Sequence, residues 1–147
     1  MPTARMQIIS FYLPIYACNV YVFFGCPRNT FLQYVQKNYD WGPRLLDSGD
    51  PSDASTWHLG NLQVVHYEKW SRSLKDQALL IHELTHVALN ILHKVGVRIS
   101  PDSDEAFTYL VQYLYTAVIS LLKPVKKRRP HGPLRSKRLP GRSKSHT

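Results

Sequence analysis

The chain has 147 residues and a formal net charge of +9, from 19 Lys and Arg against 10 Asp and Glu, and 44% of it is hydrophobic. That length and apolar content suit one domain with one core. Ten of the cations (Lys123, Lys126, Lys127, Arg128, Arg129, Arg135, Lys137, Arg138, Arg142 and Lys144) follow residue 122 without any acid, leaving nine basic and ten acidic side chains in 1–122. A basic domain surface is therefore not supported, and the basic charge belongs to a tail.

Residues 6–13 and 15–24 are rich in Tyr, Phe, Val and Ile and read as two strands, with Pro14 as the break between them. The same region lacks the compact apolar run and small-residue cleavage site of a secretory leader. No uninterrupted apolar stretch of about 20 residues occurs, so no membrane span is expected. Gly25-Cys26-Pro27 marks a turn, after which Thr30 is placed to cap a short helix to about Tyr39, with Phe31, Tyr34 and Val35 on one side. The segment 40–55 carries Gly, Pro, Asp and Ser and reads as a loop. Trp57 to Tyr67 reads as a strand or a hairpin turning at Gly60-Asn61. Cys18 and Cys26 do not have the spacing of a metal or redox pair, and two cysteines make no disulfide framework in a chain of this size. Free thiols in a reducing compartment are expected.

From Ser71 or Ser73 the period changes to that of a helix. Leu74, Ala78, Ile81, Leu84, Thr85, Ala88, Ile91 and Leu92 recur at helical spacing, and Gly96 is a natural stop. A second helix is expected from Ser100-Pro101 to about Leu122, with serine as cap and proline at the first helical position. The tail, 123–147, combines prolines with Lys, Arg, Ser and Gly, and its composition predicts disorder. Its run Lys126-Lys127-Arg128-Arg129 suits nucleic-acid phosphates, an anionic membrane surface or an acidic partner. The division predicted is one α+β domain over 1–122 followed by the tail.

The first long helix contains His82-Glu83-Leu84-Thr85-His86, an HExxH motif. Residues four apart stack on one helix face, so both imidazoles can reach one ion, and Glu83 is placed to reach a water rather than the metal. Zinc is the expected ion, and a catalytic zinc takes three protein ligands and keeps one position open. Glu105, in the first turn of the next helix, is the expected third ligand. Asp102, Asp104, His58 and His66 are alternatives, while His93 lies two turns beyond His86, too far along the helix. Tyr109, four residues after Glu105, is a candidate to aim a phenol at the cleft, and His66 to stabilise a transition state from the strand. Asp76 is expected to cap the helix rather than orient a ligand.

The pattern of His82, Glu83 and His86, a glycine-terminated helix, and Asp-Glu-Ala opening a second helix resembles the gluzincin branch of zinc metallopeptidases. In particular it resembles the small zincin-like proteins encoded by phages and prophages. The resemblance covers roughly residues 57–122. It implies a minimal zincin-like fold, with a small mixed or antiparallel sheet packed on the motif helix and the glutamate helix. It further implies zinc held by His82, His86 and Glu105, Glu83 as general base, and an edge strand over 57–67 lining the cleft for a peptide or protein substrate. The chain is shorter than the secreted peptidases of this branch and lacks their longer glutamate motif. Two other readings stay open. One is a non-catalytic zinc-binding protein of phage assembly or host interaction. The other is a nucleic-acid-binding protein acting through its tail. The expected location is the cytoplasm, including that of a phage-infected or lysogenic bacterial host.

Overall fold

The computed structural model describes residues 6–45 and 53–122; the predicted tail, with Lys126 to Arg129, lies outside the described residues. Strands β1 (Gln7–Leu13) and β2 (Cys18–Phe24) are joined through a short 3-10 turn at Pro14–Tyr16. Helix α1 (Arg28–Asn38) follows, then β3 (Ala54–Leu59) and β4 (Leu62–Tyr67), and the chain continues into α2 (Leu74–Lys94) and α3 (Asp104–Leu121). The four strands form one mixed sheet in the order β1-β2-β4-β3. β1 lies antiparallel to β2, β2 parallel to β4, and β3 antiparallel to β4. The protein is thus an α+β domain.

The alternation of side chains along a strand assigns each residue to one face of the sheet. Val20, Val22, Phe24, Val65 and Tyr67 enter the core shared with α2 and α3. Phe23 and Val64 enter a second core under α1, together with Phe31, Leu32 and Val35. The two central strands, β2 and β4, are covered on both faces, which explains their nearly continuous apolar sequences. Tyr21, Tyr39 and Trp41 close the α1 side with rings 4.6–5.5 Å apart. Gly42 sits directly against α1, where an added Cβ would lie 2.0 Å from the Val35 carbonyl oxygen, so no larger residue fits.

Several predicted boundaries move. β2 begins at Cys18 rather than residue 15, because residues 14–16 coil into the 3-10 turn and Ala17 takes a left-handed φ of 46°. α1 starts two residues before Thr30, directly after Pro27, whose missing N–H suits that position. β3 begins inside the segment read as loop, and 54–67 is a hairpin. α3 begins at Asp104, not at Pro101, because Ser103 folds 100–103 into a turn, accepting from the Ser100 N–H at 2.9 Å and donating to the Arg98 carbonyl.

The end of α2 is fixed locally. Gly96 has φ +79°, its N–H reaches the His93 carbonyl at 3.1 Å, and the Val97 N–H reaches the Leu92 carbonyl at 2.9 Å. These paired bonds form a Schellman cap around a left-handed glycine. α3 then returns antiparallel along α2, with the Tyr115 hydroxyl donating to Gln77 Oε1 at 3.1 Å.

Candidate metal centre

α2 is anchored at its start by a reciprocal cap. Ser73 Oγ accepts from the Asp76 N–H at 3.1 Å, and Asp76 Oδ2 accepts from both the N–H and the hydroxyl of Ser71 at 2.6 Å. Slight burial works against the Asp76 carboxylate, but the bonds from Ser71 and Ser73 outweigh it and hold its pKa below the ordinary value of 3.8. Asp76 is therefore a capping residue, as its distance from His82 implied.

From this start the helix period places Leu80, Leu84, Val87, Ala88 and Ile91 in the core. His82 and His86 emerge on the opposite, exposed face. Their Nε2 atoms lie 3.2 Å apart, with ring planes at 84°. Two imidazole nitrogens on one tetrahedral zinc, each about 2.0–2.1 Å from it, are separated by roughly 3.3–3.4 Å. The pair is thus spaced as two ligands of a single ion.

Glu83, about 100° round α2 from His82, turns inward toward β3 and is only 7% exposed. Thr56 Oγ1 on β3 donates to its Oε2. A carboxylate so deep in the fold needs such a partner, since an unpaired one would carry its full desolvation penalty. The sequence reading missed Thr56; its only signal was its place on a strand beside the motif helix. Further along the same seam, Gln63 Oε1 accepts from His58 Nδ1 and, at 3.1 Å, from Asn90 Nδ2. His58 is thereby committed to the hairpin rather than to the histidine pair.

The other expected site residues fall elsewhere. His66 is buried on the α1 face of the sheet, stacked on Phe31 at 4.4 Å between centroids, with its Nε2–H donating to the Cys26 carbonyl at 2.8 Å. Burial lowers its pKa, and the sheet separates it from α2. The expected transition-state role from the strand is therefore corrected: β4 turns Val65 and Tyr67, not His66, toward α2. Tyr109 is 66% exposed and lines a groove with Leu13, Pro14, Ile15 and Tyr16 at the β1–β2 turn, away from His82 and His86. Its aim at the cleft is corrected as well.

Glu105 is exposed in the first turn of α3. The Tyr115–Gln77 contact and the common helical rise set it about level with Val87, close to His86 along the axis. Thr108 and Gln112, three and seven residues after Glu105, line the groove facing α2 together with Phe107, so Glu105 leaves α3 along the Gln112 edge of that groove. Asp104, three residues before Phe107, leaves on the α2 side. Among the described residues no three His, Cys, Asp or Glu side chains gather as a metal-binding group.

Cys18 and Cys26 are free and buried. Burial first, and then the Glu68 charge, push the Cys26 thiol up to about 11. Such thiols are poor nucleophiles and poor ligands at neutral pH. No helix among the described residues is long and apolar enough to cross a membrane.

No family model, curated protein or solved structure matches this chain. The reading of the site therefore rests on its own residues.

Proposed function

We propose that the protein is a zinc-dependent hydrolase of the zincin-like type, acting on peptide bonds. The observation that carries this reading is the approach of His82 Nε2 and His86 Nε2 to 3.2 Å on the exposed face of α2, beside a carboxylate held by the neighbouring strand. His82 and His86 are two ligands, and the third comes from the first turn of α3. There the resemblance favours Glu105, with Asp104 beside it on the same turn. Zinc, when bound, supplies a Lewis acid that polarises the scissile carbonyl and lowers the pKa of water. Glu83 takes the proton of the attacking water and delivers it to the leaving amine nitrogen. Thr56 fixes one carboxylate oxygen by its hydrogen bond, which orients the other for this transfer. The free, buried thiols support a reducing, cytoplasmic setting. The basic tail adds a salt-sensitive contact with phosphate groups.

The test is zinc content per chain, by elemental mass spectrometry, with peptide cleavage measured on the same preparations. Wild type is expected to hold about one zinc, and His82→Ala to hold almost none. Glu83→Gln is expected to keep zinc and lose turnover. Glu105→Ala beside Asp104→Ala identifies the third ligand by which of them loses the metal. Folded wild type without zinc, after the metal is supplied, overturns the reading.

A further inference from the structure

The groove that Tyr109 lines runs between α3 and the turn joining β1 to β2. Pro14, Ile15 and Tyr16 form one wall and Ala106, Tyr109 and Tyr113 the other, around about 320 Å³. No Asp, Glu, Lys or Arg lines it. Ile15 is 89% exposed, Tyr109 66% and Tyr113 54%. Three large apolar side chains left open around one concavity mark a binding surface rather than scattered surface residues. The hydrolytic reading uses none of them. Just before Ala106, the start of α3 carries Asp102, Asp104 and Glu105.

Beyond α3 the sequence continues through 123–147, and there only Pro130 and Pro133 are prolines three residues apart, in Pro130-His131-Gly132-Pro133-Leu134-Arg135. A polyproline helix repeats every three residues, so such a pair presents two pyrrolidine rings on one edge. Aromatic-lined grooves recognise that edge, and the backbone carbonyls, which have no bonds within such a helix, accept from hydroxyls like those of tyrosine. We infer that this groove receives Pro130 to Arg135 of the same chain, with the two prolines against the rings of Tyr16, Tyr109 and Tyr113. Chain length and charge single out this occupant. Measured back along α3 from Leu122, Tyr113 lies about 14 Å away and Ala106 about 24 Å. At the rise of a polyproline helix, the stretch from Leu122 to Pro130 spans about 25 Å, and Pro130 to Pro133 about 9 Å, close to the distance from Tyr113 to Ala106 along the axis. A segment running back in this direction carries Arg135 past Ala106 to the acids at the start of α3. The tail holds ten cations and no acid, whereas 1–122 holds one more acid than base, so the attraction acts between tail and domain.

The experiment places a nitroxide on the full-length chain at Ser136→Cys and reads the amide signals of the domain by nuclear magnetic resonance. Cys18 and Cys26 are buried, which directs the label to position 136. So short a tether gives an effective concentration on the order of 1 mM, enough to keep a weak contact closed for most of the time. The signals of Ile15, Tyr16, Ala106, Tyr109 and Tyr113 are expected to lose most of their intensity, and those of α1, across the sheet, to keep theirs. The intensity is expected to return when Pro130→Ala and Pro133→Ala are combined. Ala106→Trp, which fills the groove from an exposed position, is expected to restore it too, whereas Gln36→Trp on α1 is expected to leave the loss in place. The combined proline variant leaves every groove residue unchanged and decides the matter even where the tryptophan disturbs folding. Broadening spread evenly over the domain, or unaltered by the proline changes, would overturn the inference. Broadening that fades on dilution, or that passes from a labelled chain to an unlabelled one mixed with it, would overturn it in favour of a second copy as occupant. The readout needs neither zinc nor a substrate, so its outcome is separate from that of the metal reading.

Discussion

Thr56 and Glu83 are 27 positions apart in sequence, and their hydrogen bond ties the edge strand β3 to the helix that carries both histidines. It is a polar link between the proposed base and the sheet, and it involves a carboxylate that is almost fully buried. Thr56→Val preserves the shape and removes the donor. The expected result is unchanged zinc content, a fall in kcat of tenfold or more with little change in KM, and a stability loss of about 1–3 kcal/mol from the stranded carboxylate. Steady-state kinetics and urea unfolding check this together. An unaltered kcat would mean that Thr56 does not position the base.

Metal removal gives a second expectation. A ligand that binds only the folded state stabilises it by mass action, by about 2.7 kcal/mol at one hundred times its dissociation constant. Zinc added to metal-free protein is expected to raise the Tm of wild type, and a chelator to reverse the rise. His86→Ala is expected to respond to neither. A wild-type Tm insensitive to both would count against a site at the pair.

What the sequence made legible here was local. The helix at 74–94 was readable from its own period, its serine cap and its closing glycine, and all three signals lie within one turn of what they specify. The pairing of His82 with His86 follows from the same period. Placement on the far side of a tertiary contact was not legible. His66 looked like a cleft residue because a strand has two faces, and only the packing of α1 on one and α2 on the other decides between them. Glu105 reads as a ligand because it opens the next helix, and its direction depends on the rotation of α3 about its axis, which Phe107, Val111 and Tyr115 set by packing against the core. Pro101 looked like a helix start because Ser100 precedes it, but the hydroxyl of Ser103 closes a turn there first.

His66 makes stability depend on pH near neutrality. Burial disfavours its charged form and lowers its folded pKa below the ordinary 6.5; its bond to the Cys26 carbonyl and the charge of Glu68 partly oppose this shift, while Arg28 adds to it. The unfolded chain therefore binds this proton more readily than the folded one. The stability due to neutral His66 is fully present above about pH 6.5 and declines as pH falls toward the folded pKa. Urea midpoints of wild type are expected to drop between pH 7.5 and pH 5.5, and His66→Phe, which keeps an aromatic ring against Phe31, is expected to flatten that drop. Parallel profiles for the two proteins would show that other groups govern the window.

Gly42 carries the sharpest steric expectation. A methyl group there would meet the carbonyl carbon and oxygen of Val35 at 2.3 and 2.0 Å, and both belong to the backbone of α1 rather than to a side chain that can turn aside. Relief requires the 3-10 turn at Gly42–Arg44 to move off the helix, and with it the neighbouring rings of Tyr39 and Trp41 that stack at 4.6 Å. Gly42→Ala is expected to cost about 3 kcal/mol and to lower Tm on the order of 10 °C. The histidine pair lies on the opposite side of the sheet, so zinc binding at temperatures below the transition is expected to survive. Calorimetry with and without zinc separates the two effects: a lowered Tm that zinc still raises agrees with this geometry, and loss of the zinc response would show that the α1 layer is coupled to the centre through β4.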